Sequence, residues 1–292
     1  MRRNRMKRWI KNVIQWSLIF LIIIVLVICM RVFLFAAYTI STSSMEPAIV
    51  AGDKVLVNKS IPGSRIIRNF FSLHEGEKPD IKRFRGIRSI RRNDILIFNY
   101  PYSEWGRLQM DMNVFYAKRC VAIPGDTFWI DNGIYKVKNS NEVLGNRDIQ
   151  ERLSAKNSDE LAPIVYNCFP HNEHFGWTMK NFGPLYLPRK NETLSIDTMN
   201  VLLYKRLITY ETDQKITVRN ANVYLNDSLI TSYTFRQNYY FMSGDHVFDS
   251  QDSRYWGLLP EDHIVGKVAF VLNTKDKQTG KTKWNRFLKT IQ

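Results

Sequence analysis

Phe115-Tyr116-Ala117-Lys118-Arg119-Cys120-Val121-Ala122-Ile123-Pro124-Gly125-Asp126 places a lysine and an arginine inside an apolar run that stops at a Pro-Gly turn. Aromatic and β-branched residues closed by a turn read as a strand. Alternation along a strand predicts that one of the two basic side chains points into the core. A charge is rarely buried without a partner or a role, and a buried lysine that loses its proton becomes a base. The same texture extends to either side. Candidate strands are 54–57, 94–99, 114–122, 127–130, 134–137, 201–209, 223–225, 239–242 and 264–272, separated by turn residues such as Asp131-Asn132-Gly133. The expected fold class is therefore mainly β, with helix chiefly in the N-terminal segment. Residues 140–200 show no clear periodicity and include the polar stretch 139–157, so roughly 130–235 reads as an inserted, less constrained region.

Upstream, residues 12–30 carry no charge and are mostly Ile, Leu and Val, and Val32 to Tyr38 continue the run after Arg31. At a helical rise of roughly 1.5 Å, such a stretch covers about 28 Å, the thickness of a bilayer's hydrocarbon. Six basic residues and no acid precede it in positions 1–11, which predicts a cytoplasmic N-terminus with the remainder across the membrane. Arg31 then reaches the outer headgroups. A cleavable signal peptide is the rival, because Phe35-Ala36-Ala37 offers small residues, but the apolar run is too long for an h-region and Arg follows it. No later segment is apolar for eighteen residues, so one span is expected.

Composition limits the rest. The 292 residues are 45% hydrophobic and 24% charged, which excludes disorder along the whole chain. Cys29, Cys120 and Cys168 cannot build a disulfide framework, so packing must hold the fold. The net charge of +15 points to anionic partners only where it clusters, which happens at 1–11 and between Lys78 and Arg92.

Three further blocks carry possible chemistry. Ile40-Ser41-Thr42-Ser43-Ser44-Met45-Glu46-Pro47 puts four hydroxyls in a row beyond the apolar segment, and by itself reads more readily as a solvated linker than as a site. Arg92-Asn93-Asp94-Ile95-Leu96-Ile97-Phe98 is a turn feeding a strand. Gly244-Asp245-His246-Val247-Phe248-Asp249-Ser250-Gln251-Asp252-Ser253-Arg254-Tyr255-Trp256-Gly257 mixes Asp, Ser and Arg densely enough for a hydrogen-bonded loop supporting a site.

Jointly the four blocks resemble the boxes of bacterial type I signal peptidases, membrane-anchored serine proteases with a Ser/Lys dyad. The resemblance covers the anchor, 40–60, 92–101, 115–127 and 241–270, and omits the middle of the chain. It implies a signal-peptidase-like folded β-sheet catalytic domain behind one transmembrane helix. It also implies Ser44 as nucleophile, Lys118 as general base and Thr42 with the Ser44 N–H as oxyanion donors. Ser250 matches the hydroxyl that orients the lysine, while Asp245, Asp252, Arg254 and Arg119 match the supporting charges. Ile40, Tyr116 and Ala117 match pockets for small side chains. Ser41 and Ser43 stand where many members have Pro and Gly, and His246-Val247 replaces a common Asn-Arg. The implied organisation is a basic tail (1–11), an anchor (12–38), a catalytic core in two parts (39–130 and 236–292) and an inserted region (131–235).

The implied substrates are secretory preproteins, cut after small residues in an A-x-A-like pattern at the outer face of the cytoplasmic membrane. Membrane lipids are the other expected partner, with no nucleic acid, no cofactor, no metal and a monomeric chain. Five rivals are weighed against this. Cys168-x-x-His171-x-x-His174 looks like zinc ligands but lacks a fourth partner. The basic run 78–92 suits a headgroup-facing loop better than nucleic acid, given the expected topology. Cys120 is a small packed side chain more readily than a nucleophile. A signal-binding adaptor would need a damaged dyad, and a self-cleaving Ser/Lys repressor would need a DNA-binding motif in place of the membrane span.

Overall fold

The computed structural model describes residues 2–74, 77–102, 106–157, 168–275 and 279–291, with the side chains of 2–5, 7 and 8 left out. Most of the basic tail's side chains and residues 158–167 of the expected insert thus lie outside the described residues. Helix α1 (Arg2–Cys29) continues as a π-helical turn over Met30–Leu34. Its apolar stretch Trp9–Leu34 is exposed through Val32, meets the rest of the chain only near its end, where Phe33 lies edge-on to Phe84, and is long enough to serve as a single membrane anchor. Residues 35–38, expected to end the anchor, instead belong to strand β1 (Phe35–Thr39), which pairs antiparallel with β2 (Asp53–Asn58). Tyr38 and the small Ala36 and Ala37 fit a pleated edge as readily as an apolar helix, so hydropathy could not place this boundary.

A short hairpin follows, β3 (Arg65–Ile67) with β4 (Ile81–Arg83), then β5 (Ile95–Asn99), β6 (Phe115–Ala122), β7 (Thr127–Asp131) and β8 (Ile134–Val137). Helix α2 (Arg147–Ala155) precedes β9 (Phe182–Tyr186) and β10 (Thr193–Ser195), and helix α3 (Val201–Thr212) leads into β11 (Ile216–Arg219), β12 (Asn222–Leu225), β13 (Ser228–Ile230) and β14 (Ser232–Thr234). The chain closes with β15 (Tyr239–Ser243), the helical turn α4 (Ser253–Trp256), β16 (Leu259–Pro260) and β17 (Ile264–Thr274). The main sheet has the order β1-β2-β17-β5-β6-β15-β16. The mainly β class is correct, and every expected strand except 201–209 falls on an observed one.

The exception is instructive. Residues 201–209, expected as a strand, form α3, whose buried side chains are Val201, Leu203, Tyr204, Leu207, Ile208, Tyr210 and Glu211. Steps of three and four between them make a helical stripe, which β-branched and aromatic composition disguised. Helix α2 was hidden in the polar stretch; Asn146 caps it by accepting from the Ile149 N–H. Helix is therefore not confined to the N-terminal segment.

The described part of the insert is packed rather than loosely constrained. Tyr135, Leu153, Phe182, Leu207 and Phe235 join one apolar cluster with Phe98 and Phe241 of the main sheet. The chain leaves the sheet at Ala122 and returns on the adjacent strand, with Phe241 opposite Ala122. On the sheet's other face, Ile40, Met45, Ile49, Val55, Ile95, Ile97 and Ala117 form a second cluster.

Candidate active site

The loop after β1 is fixed at both ends before any chemistry begins. The Ile40 N–H donates to the Asp53 carbonyl and the Gly52 N–H to the Ile40 carbonyl, drawing the loop closed. Gly52 adopts φ 96°, and a Cβ there would meet the Lys275 carbonyl oxygen at 2.1 Å. Met45 and Ile49 are fully buried in the second cluster. Ser44 is thereby held immediately before an apolar anchor, with its carbonyl accepting from the His246 N–H at 3.1 Å.

Lys118 comes from the middle of β6, opposite Leu96 of β5. Its Nζ donates to Ser44 Oγ at 2.6 Å, and both side chains are buried. Burial pulls the lysine down to about 8, because an ammonium loses hydration there. Asp252, Asp249 and Asp245 oppose the shift, and Arg254 reinforces it. Nζ also lies 5.7 Å from the Tyr116 ring centroid. The expectation that only one of the basic pair turns inward is corrected: Arg119 is buried too. It survives there because Asp245 accepts from Nε and Nη2, each at 2.7 Å, and the Asn93 carbonyl accepts from Nη1 at 3.0 Å.

The fourth block wraps behind this pair. Asp252 and Arg254 are both fully buried and face each other through two 2.8 Å bonds, Nε to Oδ1 and Nη2 to Oδ2. Arg254 holds the Asp252 carboxyl below its usual range, against a desolvation penalty in the other direction. Asp252 also accepts from the Gly244 N–H at 3.0 Å and from Ser250 Oγ at 2.7 Å. Ser250 thus bonds Asp252, and no hydrogen bond joins it to Lys118. Gly244 is required where it stands, since a Cβ would lie 2.2 Å from Ser250 Oγ and 2.5 Å from the Ser44 carbonyl oxygen. His246 and Val247 contribute backbone groups, to Ser44 and to Arg254 Nη2, so their side chains can depart from the family's pattern.

Thr42 Oγ1 lies 3.4 Å from Ser44 Oγ on the exposed side of the loop. Ile40, Thr42, Ser44, Tyr116, Ala117 and Lys118 all line one cleft of about 570 Å³. The residues that the resemblance assigns to the site therefore fall at this cleft or directly behind it. Asp249 and Ser43 were passed over: they also line the cleft, and Ser43 Oγ donates to Asp249 Oδ2 at 2.5 Å. Both stood within quoted blocks, but a pairing across 206 positions leaves no local signal.

The other candidates resolve elsewhere. His171 Nε2 hydrogen-bonds the Tyr255 carbonyl at 2.7 Å, and among the described residues no cluster of His, Cys, Asp or Glu could hold a metal ion. Four of the seven basic residues in 78–92 have internal ties, while Lys82, Arg85 and Arg91 are exposed. Lys78 donates to the Tyr210 carbonyl, Arg83 to the Gly63, Glu261 and Ile264 carbonyls, Arg88 to Asp94 and Arg92 to Asp126. Cys120 is fully buried, and burial pushes its thiol well up, the opposite of what a nucleophile needs.

Comparison with known proteins gives the same direction. The family model for signal peptidase, peptidase S26, matches residues 13–273. Signal peptidase I of Aquifex aeolicus is 27% identical over 251 residues, covering 86% of this chain and 80% of that protein. Signal peptidase I of Buchnera aphidicola subsp. Baizongia pistaciae is 27% identical over 274 residues, covering 89% and 77%. The Haemophilus influenzae signal peptidase I is 26% identical over 266 residues, covering 88% and 68%.

Proposed function

The chain belongs to the signal peptidase family, peptidase S26, and is a serine endopeptidase acting on the signal peptides of preproteins; within that activity we propose that Ser44 and Lys118 carry the reaction. The observation behind this reading is the buried 2.6 Å contact between Nζ and Oγ with the lysine drawn down to about 8. A serine hydroxyl attacks only when a neighbour removes its proton. A lysine at about 8 is neutral in roughly one molecule in ten at pH 7, against fewer than about one in a thousand at its free value. Asp252 would keep Lys118 charged if it stood alone. Paired with Arg254 it presents little net charge, so desolvation prevails.

In this mechanism neutral Lys118 takes the Ser44 proton as Oγ attacks the carbonyl carbon before the scissile bond. The Ser44 N–H and the Thr42 hydroxyl stabilise the oxyanion. The lysine then returns the proton to the departing amine, and water, activated by the same lysine, hydrolyses the acyl-enzyme. Ile40, Tyr116 and Ala117 leave an apolar end of the cleft that suits small side chains, which supports cleavage after A-x-A-like sequences. The basic residues before the span favour a cytoplasmic N-terminus, with the cleft on the outer side of the cytoplasmic membrane and α1 among its lipids. Residues 39–130 and 236–292 act as one catalytic unit around the insert 131–235. All the proposed groups come from one chain, so a monomer suffices.

The test is Lys118→Arg in the full-length enzyme, assayed on a quenched fluorogenic peptide with Ala at the first and third positions before the cut. A cation that merely pairs would tolerate arginine; a base cannot, because the guanidinium keeps its proton. Lys118→Arg should be as inactive as Lys118→Ala, and wild-type kcat/KM should rise with pH through about 8 as the amine deprotonates. More than about a tenth of the wild-type rate in Lys118→Arg, equivalent to ~1.4 kcal/mol in barrier, would exclude the dyad.

A further inference from the structure

Ser43 and Asp249 belong neither to the dyad nor to the buried ion pairs, yet they join the two loops that meet at the nucleophile. Ser43 directly precedes Ser44, and the loop bearing Asp249 also supplies the His246 N–H to the Ser44 carbonyl. That loop's other acids are sealed: Asp245 is buried against Arg119, and Asp252 against Arg254. Asp249 is exposed and lines the catalytic cleft beside Gln251. Lys118 is the one cationic side chain lining that cleft among the described residues. The Asp249 carboxylate therefore faces substrate space with a hydroxyl, and no cation, holding it.

The lining of the cleft divides by chemistry. Ile40, Phe115, Tyr116 and Ala117 supply its apolar part, Ser44 and Lys118 its reacting centre, and Asp249 and Gln251 a polar part tied to the nucleophile loop through Ser43. On the reading argued above, small residues of the signal peptide occupy the apolar end. The chain then crosses Ser44 and leaves past Asp249, so the carboxylate meets the first residues of the mature protein. We propose that Asp249, positioned by Ser43, is a specificity-determining residue for that side of the scissile bond, favouring a basic side chain just after the cut and disfavouring an acidic one. The pair is exposed, so the discrimination is modest, about three- to five-fold between Lys and Glu, and weakens as salt screens it.

The experiment uses the full-length enzyme in detergent and three quenched peptides identical except for Lys, Gln or Glu at the first position after the cut. Turnover of the Gln peptide establishes the peptidase reading independently of charge. Wild type should give kcat/KM in the order Lys, Gln, Glu at low salt, with the Lys-to-Glu ratio falling towards one as salt is added. Asp249→Asn, which keeps an oxygen for Ser43 to donate to, should bring that ratio to about one at low salt, and Asp249→Lys should invert it. Ser43→Gly should lower the ratio partway by releasing the carboxylate. A wild-type ratio of one or less at low salt overturns the proposal without any variant having to fold. So does an unchanged ratio in both Asp249 variants, or a loss that is equal for all three peptides, which would mark Asp249 as structural.

Discussion

Thr42 and Ser250 both bring hydroxyls to the dyad, but they touch different atoms and should fail differently. Thr42 Oγ1 sits 3.4 Å from Ser44 Oγ at the open cleft, where an oxyanion would form. Thr42→Val should therefore lower kcat by about 10²–10³ with the position of the pH profile unmoved, and Thr42→Ser should restore most of the rate. Full activity in Thr42→Val would leave only backbone donors. Ser250 acts one step back, donating to Asp252. Losing that bond leaves the Asp252 carboxylate less satisfied and more attractive to the Lys118 ammonium, so Ser250→Ala should raise the apparent pKa of kcat/KM above the wild-type value near 8. A profile that stays in place or moves down would show that Ser250 does not act through Asp252.

Elements were legible wherever one period dominated. Strands β5, β6, β15 and β17 combine Val, Ile, Tyr and Phe with clean turns, and the apolar N-terminal run is unambiguous. α3 was lost because its composition argued for a strand while its spacing argued for a helix, and only burial decides between them. Leu207 is 2% exposed in the main cluster, whereas Lys205, two positions away, is exposed. On a strand these two would share a face; on a helix they do not. Leu207→Ala should cost about 2–5 kcal/mol in denaturant unfolding, and Lys205→Ala should stay within about 0.5 kcal/mol. Equal effects would contradict the helix. Of the candidate site, only Lys118 stood out by itself, as a charge in an apolar run; Ser44, Asp252 and Arg254 became legible through the joint resemblance of their blocks, since a hydroxyl run and an acidic turn are each ordinary alone. What stayed hidden were cross-chain partners. Nothing near Arg119 in sequence announces Asp245, and nothing near Ser43 announces Asp249.

At the scale of the whole molecule, much of the positive charge that suggested anionic partners has an internal use. Arg65, Arg83, Arg88, Arg92, Arg119, Arg254 and Arg286 are buried or half-buried and tie separate segments together. Arg65 donates to Asn99 and to the Asp262 and His263 carbonyls, while burial pulls it down to about 10. This internal use of charge makes His263 a point of acid sensitivity. The ring is fully buried, with Nδ1 2.8 Å from Asp262 Oδ1 and Nε2 buried with no hydrogen-bond partner among the described residues. Desolvation lowers its pKa more than Asp262 raises it, and Arg65 and Lys78 add to the lowering. Folded protein thus binds a proton at His263 less readily than unfolded protein does. The neutral ring's contribution to stability is complete above the unfolded value of about 6.5 and is lost as pH falls through the lower folded value. Each such proton steepens the loss by at most ~1.4 kcal/mol per pH unit. Thermal unfolding of the detergent-solubilised chain should show Tm declining from pH 6.5 to 5.5, above the range where most carboxylates titrate. His263→Gln should be less stable at pH 8 yet flatter across that interval, because glutamine has no proton to gain. A slope identical to the wild type would assign the acid sensitivity to groups other than His263, and would mean that the cluster around Arg65 and Asp262 accommodates an imidazolium.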